Sequence, residues 1–537
     1  MSPAEATRQE PAPIKSRILK SKTIYKQHES NELFFAVVGH VGSGNSTIIS
    51  TLQNQLDTLG YEVHVLKAKD EILLWADEQG KSPAQTKNNS LSSVETLQAL
   101  GDEMRSGDHA AIAVRLIQKV RTIRAERTGL RLEDPVPVVP DGKRRAYLFD
   151  SVRHPAEVEL LRRVYENAFT LLGVVCIEDV RFQRIVKKYD DAGQANAQAF
   201  MKRDAKTSTK EGNGQRVADA FHLADYFIDN SSARYNDVER RNPNPDWDIP
   251  EQLSRLLKII THAEIVRPTL AETSMHAAYG AQSRSACLSR QVGACLVDAR
   301  GNIVSTGTNE VPRAGGGVYM QGFSDLEHST SDGRCAYSGG EKYCANTKEQ
   351  NAIIDELIKD IDELKDSTNR FDLPERLRNT RIGGLLEFSR AVHAEMEALM
   401  AAARTGVSTV GTRMFVTTFP CHYCARHLIS AGIDEVQYIE PYPKSQALNL
   451  HRDAITCDPI RWEPPSRDRS GKSKVLFKPF TGVSPRMYIR AFQKERELKD
   501  HTGRLNLFPT PWGDRWRIGK ASYAQLEADL SCKKDPL

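Results

Sequence analysis

The run Leu33-Phe34-Phe35-Ala36-Val37-Val38 is apolar at every position and ends in the glycine-rich turn Gly39-His40-Val41-Gly42-Ser43-Gly44. A strand with no polar face has to be covered on both sides, so it reads as a buried strand of a parallel sheet. Further strand signals follow at 61–66, 146–150, 172–177 and 225–228, with helical stretches such as 156–166 between them. That alternation predicts a doubly wound parallel sheet. A chain of 537 residues is too long for one core, so two or three domains are expected. The expected division is a flexible basic tail over 1–30, an α/β domain over 31–235, a linker over 236–260, a second domain over 261–500 and a C-terminal extension over 501–537. The linker is placed by Arg240-Arg241-Asn242-Pro243-Asn244-Pro245, where periodicity breaks and turn residues gather. In the second half a helix is expected near 261–289 and a hairpin around 298–302. A polar insertion over about 321–380 then leads to the helix that carries His393.

His393-Ala394-Glu395 is followed by Pro420-Cys421-His422-Tyr423-Cys424. H-x-E alone means little in a chain with 14 His. P-C-x-x-C is far rarer: independent placement of 25 Pro and 9 Cys among 537 positions predicts roughly 0.007 copies. Two Cys at i, i+3 at a helix start point at one ion, and the helix N-terminus favours their thiolates. With His393 they give zinc three protein ligands and leave a fourth position for water, whose pKa the ion lowers from about 15.7 to about 7. Glu395 is two residues beyond His393, is not itself a ligand, and is placed to move protons. A closed structural site would need a fourth ligand, and His422 adjoins Cys421, where neighbouring residues rarely chelate together. The full pattern H-x-E…P-C-x-x-C is the signature of zinc deaminases that act on cytosine C4 or adenine C6.

Composition narrows the setting. Hydrophobic residues make up 39% and charged residues 27%, the balance of a soluble globular protein. No stretch reaches the roughly 18 uninterrupted apolar residues of a membrane span. Residues 1–30 lack the apolar segment of a signal peptide. A cytoplasmic protein with no membrane partner is expected. Lys and Arg total 74 against 70 Asp and Glu, a net charge of +4, which argues against a polynucleotide held along a basic face. In a reducing compartment, nine cysteines suit metal ligands and thiols better than disulfides.

The second half resembles the deoxycytidylate deaminase branch of the cytidine deaminase superfamily. Beyond the zinc motif, the resemblance is carried by Arg284-Ser285-Ala286-Cys287-Leu288-Ser289-Arg290-Gln291-Val292-Gly293-Ala294, by Gly307-Thr308-Asn309-Glu310-Val311-Pro312-Arg313 and by Glu440-Pro441-Tyr442-Pro443-Lys444-Ser445. It implies an α/β/α cytidine deaminase-like domain, a catalytic Zn2+, and free deoxycytidine nucleotides (dCTP and/or dCMP) as substrate. Asn309 would contact the sugar, and Arg290, Arg313 and Lys444 would supply charge-assisted donors to the phosphates. Arg486 is a further phosphate candidate, in a segment around 480–488 expected to help cover the site. His328, Cys335 and Cys344 in the insertion are the implied ligands of a second, structural zinc. A homo-oligomer is also implied.

The first half resembles the P-loop nucleotide kinases. Gly39 to Thr47 follow the first strand, where G-x-x-x-x-G-K-[ST] cradles phosphates on its amides, but Asn45 stands in the Lys position. Losing that charge removes a stabiliser of phosphoryl transfer. A P-loop kinase-like domain without catalysis is expected, binding a nucleotide through Gly39, Gly42, Gly44, Asn45, Ser46 and Thr47, or binding a regulator. The whole arrangement resembles bacterial anti-phage deaminases, which implies depletion of deoxycytidine nucleotides during infection and control by an inhibitory small RNA. The rival reading is a polynucleotide cytosine or tRNA adenosine deaminase, which shares the zinc chemistry but would want stacking aromatics that the chain does not string together.

Overall fold

β1 (Glu32–Val38) is buried along its whole length. In the computed structural model it lies at the centre of a sheet ordered β2-β3-β1-β4-β5, with β2 (Glu62–Lys67), β3 (Arg145–Asp150), β4 (Phe169–Val175) and β5 (Tyr226–Asp229) all parallel. The described residues are 30–81, 90–205, 214–237, 239–320, 334–337, 342–365, 372–385, 387–442, 444–460, 462–494, 497–515 and 522–531. The helices used below are α1 (Asn45–Thr58), α2 (Ala68–Glu78), α3 (Leu91–Gly107), α4 (Ala111–Thr128), α5 (Pro155–Tyr165), α6 (Glu178–Lys188), α7 (Gln194–Ala205) and α8 (Ile249–Ile260). Successive β1 side chains alternate faces. Leu33, Phe35 and Val37 pack with Ile48, Leu52 and Leu56 of α1 and with Leu253, Leu256 and Leu257 of α8. Phe34, Ala36 and Val38 pack with Leu116 and Val120 of α4 and Val158 and Leu161 of α5. The expected doubly wound sheet is the sheet observed.

The second half begins with α9 (Leu270–Gln282), shorter than the helix expected over 261–289 because Thr269 and Glu272 close a capping box at its start. A second sheet, ordered β10-β11-β9-β8-β6-β7, follows. Its strands are β6 (Gly293–Val297), β7 (Ile303–Thr308), β8 (Arg413–Thr418), β9 (Glu435–Glu440), β10 (Ile455–Thr456) and β11 (Val475–Pro479). β6 and β7 form the expected hairpin, antiparallel across 298–302, while β8, β9, β11 and β10 run parallel. α10 (Ala345–Asp360) lies in the insertion, and α11 (Ala394–Arg404) and α12 (His422–Ser430) flank the sheet. Both halves are α/β, as expected.

The halves interlock more than their expected boundaries allow. Residues 249–260, expected as linker, form α8. Ile249, Leu253, Leu256, Leu257 and Ile260 recur at helical spacing and are buried in the first core. After β11, β12 (Gly482–Val483) crosses back and adds antiparallel to β5, and α13 (Pro485–Phe492) follows it. The segment expected to cover the active site therefore completes the first sheet instead. In the C-terminal extension, α14 (Tyr523–Ser531) packs on α4 and α5. Residues 1–29 of the expected tail lie outside the described residues. Among those described, no helix is long and apolar enough to cross a membrane.

Two buried charge clusters make the seam. Glu272 accepts from both terminal nitrogens of Arg255 at 2.7 and 2.8 Å, from Thr269 N at 2.7 Å and from Val483 N at 2.8 Å. Arg124 of α4 pairs with Glu32 at 2.7 Å and with Glu527 of α14, all three fully buried, while Tyr523 Oη donates to Glu32 at 3.0 Å. Replacing Arg124 by Ala would strand two buried carboxylates, a change that costs about 3–5 kcal/mol when a buried pair loses one partner. Arg124→Ala is expected to lower the urea midpoint of the full chain and to open α14 to protease. An unchanged midpoint would show that the cluster carries no stability.

Candidate active site

His393 is the N-cap of α11 and Cys421 the N-cap of α12. Both helix N-termini therefore converge on one point, bringing oriented amides and a positive dipole end to two thiols. Cys424, one turn into α12, donates its amide to Cys421 Sγ at 3.4 Å. Both sulfurs lie 3.3 Å from His393 Nδ1, and the three donor atoms fall within 4.8 Å of one another. Zinc bonds of about 2.3 Å to sulfur and about 2.0 Å to nitrogen at tetrahedral angles put S and N roughly 3.5 Å apart. The donor set and its spacing fit that ion.

The electrostatics agree with a thiolate site. A hydrogen bond with the Cys424 thiol, reinforced by His393, holds Cys421 down at about 4 against the opposing effect of burial. Burial alone would depress His393, but its bond to Cys421 lifts it to about 9. Glu395 is 3% exposed. Burial, then the neighbouring Cys421 charge, pushes its carboxyl up to about 7. A carboxyl poised near neutrality can both take and return a proton.

His393, Glu395 and Cys421 line a cavity of about 300 Å³, with Cys424 buried behind them. Two backbone contacts assemble it. Glu310 and Val392 exchange hydrogen bonds at 3.2 and 3.0 Å, pinning the residue before His393 to the one after Asn309, just past the end of β7. Gly307 lets that strand approach α11, since a Cβ there would lie 2.0 Å from Ala394 O.

Of the expected substrate residues, Asn309, Arg290 and Lys444 line the cavity and Arg313 does not. Asn309 donates to Arg290 O at 2.5 Å and accepts from Val292 N at 2.7 Å, so it shapes the 290–292 wall as well as facing the cavity. Arg290 is ion-paired with Glu440 at 2.8 Å. Lys444 is exposed. Arg313 bonds Gly316 O at 3.4 Å within its own turn, and Arg486 is exposed on α13 and does not line the cavity.

Sequence reasoning missed Asn346, which the first turn of α10 brings to the cavity wall. Its Nδ2 donates to Leu385 O at 2.9 Å, while its buried Oδ1 meets no partner among the described residues. No motif marks it, because it stands inside the polar insertion. Cys335 and Cys344 line a smaller adjoining cavity of about 30 Å³ together with Cys287. His328 lies outside the described residues. Among those described, His393, Cys421 and Cys424 are the one group of three whose ligand atoms are close enough to share an ion.

A family model described as the cytidine and deoxycytidylate deaminase zinc-binding region matches residues 268–440. The deoxycytidylate deaminase of Enterobacteria phage T4 is 33% identical over 178 residues, which cover 33% of this chain and 80% of the phage protein. The chain belongs to the cytidine and deoxycytidylate deaminase family. ComE operon protein 2 of Bacillus subtilis (strain 168), a further relative, is 33% identical over 123 residues, covering 22% of this chain and 64% of that protein. A solved dCMP deaminase from the cyanophage S-TIM5, in complex with dCMP and dUMP, aligns with 19% identity over 40% of this chain and 99% of its own, at a TM-score of 0.22. The matched span of this deaminase-family chain takes in His393, Glu395, Cys421 and Cys424 together.

The glycine loop of the first half is left-handed at two positions, with φ of 80° at Gly42 and 88° at Gly44, and its polar groups are engaged by the protein. Ser43 Oγ donates to Asn45 Oδ1 at 3.0 Å, and the Asn45 side chain turns back toward Gly39. Asn230 Nδ2 donates to Ser43 O at 2.8 Å. The Asp204 carboxylate accepts from Val41 N at 3.0 Å and lies 3.3 Å from His40 Nδ1. Ser46 and Thr47 open α1, where Thr47 N bonds back to Gly44 O at 2.9 Å.

Removing one of the three converging donors tests the metal reading. Cys424→Ala is expected to bring the zinc content of purified protein, read by atomic absorption, from one ion per chain to near none. Arg313→Ala is expected to retain the ion.

Proposed function

We propose that this protein is a zinc-dependent hydrolytic deaminase of free deoxycytidine nucleotides, converting dCMP or dCTP and water to the uracil nucleotide and ammonia. The observation that supports it best is the convergence of His393, Cys421 and Cys424 beside the buried Glu395 at one cavity. Held by these three residues, zinc would supply an activated water for attack on cytosine C4. Glu395 would carry the two protons of that water one at a time, the first to ring N3 and the second to the departing amine, a shuttle worth about 10²–10⁴-fold in rate. Asn309 holds the wall against which the sugar lies. Lys444 and Arg290 meet the phosphate, Arg290 by sharing its charge with Glu440.

The relatives named deoxycytidylate deaminase support the nucleotide substrate. The near-balanced charge of +4 supports a free nucleotide over a polymer. We extend the reading, from the fusion of this domain to a glycine-loop domain, to depletion of deoxycytidine nucleotides in anti-phage defence, with the first domain in a regulatory role. An inhibitory small RNA and a homo-oligomer belong to the same reading, as does a second zinc near Cys335 and Cys344.

Purified protein incubated with dCMP, dCTP, cytidine and a cytosine-bearing oligonucleotide is expected to release uracil product from dCMP or dCTP. Glu395→Ala is expected to lose at least about 10²-fold of that rate while keeping its zinc. Product from the oligonucleotide alone would overturn the substrate assignment and leave the metal chemistry standing.

A further inference from the structure

The insertion between β7 and α11 brings the first turn of α10 to the cavity at His393, where Asn346 is part of the lining. Asn346 and Gln350, one turn apart, each give a side-chain N–H to Leu385 O, at 2.9 and 2.8 Å. A carbonyl oxygen has two lone pairs and takes both. That bond settles how the Asn346 amide is turned, since the reverse would set its Oδ1 against the oxygen of Leu385. The Oδ1 is left buried and, among the described residues, accepts from nothing. A buried acceptor without a donor is costly to keep, and one in a cavity wall is met by what the cavity holds.

Where Asn346 stands narrows the donor. The wall it belongs to, with Cys287, Ser289, Ser389 and Ala391, also lines the smaller adjoining cavity, which His393, Glu395 and Cys421 do not reach. Asn346 thus belongs to a wall set apart from the proton-carrying carboxyl. Asn309, in the same lining, has both ends of its own amide engaged, with Arg290 O and Val292 N. A deoxycytidine nucleotide carries few donors. Its phosphates are ionised, and ring N3 and O2 only accept hydrogen bonds. The exocyclic amine leaves from C4, beside Glu395. What remains for Asn346 is the 3′-hydroxyl of the sugar.

We propose that Asn346 is a specificity-determining residue: its Oδ1 accepts from the 3′-hydroxyl of the bound nucleotide and selects sugars that carry one. This rests on the deoxycytidine nucleotide reading of the same cavity. A site built to hydrogen-bond a hydroxyl rejects the analogue that lacks it, because its acceptor then stays buried and unpaired. Asn346 stands outside both H-x-E and P-C-x-x-C, so the insertion adds discrimination at the sugar to chemistry carried elsewhere. Nucleotides without a 3′-hydroxyl are the poorer substrates.

The test measures kcat/KM of the wild type, Asn346→Ala and Gln350→Ala on dCMP and dCTP and on their 3′-deoxy counterparts, ddCMP and ddCTP. Loss of the 3′-hydroxyl is expected to cost the wild type about tenfold or more. Asn346→Ala is expected to lose about as much on the natural nucleotide and to change by less than about twofold on the dideoxy one, the coupling of a direct contact. Gln350→Ala, which shares the bond to Leu385 O but does not line the cavity, is expected to keep the wild-type ratio between the two sugars. The same ratios are expected in the affinities of the Glu395→Ala chain, with and without Asn346→Ala, read by calorimetry. Equal use of both sugars by the wild type overturns the proposal without any variant. So does a ratio that Asn346→Ala leaves intact, or one that Gln350→Ala erases equally. A wild type that deaminates none of the four, and whose Glu395→Ala form binds none, overturns the nucleotide reading beneath it.

Discussion

The carboxylate of Glu272 is fully buried and accepts hydrogen bonds from three separate stretches of chain. One is Arg255 on α8, which belongs to the first core. Another is the start of α9, which opens the deaminase half, and the third is Val483 on β12, which finishes the first sheet. A buried carboxylate is tolerable only when every lone pair is used, so the three stretches have to meet at one place. That requirement fixes how the two sheets sit, and through α9 it fixes the strands β6 and β7 that carry Asn309 toward His393.

What could be read from the sequence was whatever rests on local pattern. The uninterrupted apolar run at 33–38 announced a strand covered on both faces. The spacing of Cys421 and Cys424 announced a helix start with two donors on one side. What escaped rests on distant partners. Arg124 meets Glu527 across 403 residues, and nothing near either residue signals the other. α8 escaped for a different reason: the turn residues of 242–245 drew the boundary, although Ile249 to Ile260 carry a clear helical apolar face. Asn346 escaped because its role comes from where the insertion folds, and Arg313 was overvalued because its motif gives its position in sequence and leaves its direction open.

The glycine loop shows how a protein's own side chains can occupy a left-handed turn. Gly42 and Gly44 adopt left-handed φ, and the side chains of Asn45, Asn230 and Asp204 hydrogen-bond onto the loop they make. A Lys at position 45 would be the natural counter-charge to a phosphate. The Asn in its place makes neutral hydrogen bonds within the loop, which steadies the turn and leaves an arriving anion less to gain.

β12 is only Gly482 and Val483, but it closes the open side of β5. A parallel sheet left with a bare edge invites pairing with another chain. The deaminase half thus covers part of the β5 edge of its neighbour, and α14 comes back from the far end of the chain to lie on the same half. The two halves are consequently poor cassettes. Neither can be excised, shuffled or inherited alone without exposing a surface that the other was covering, which ties their evolutionary fates together whatever each one binds.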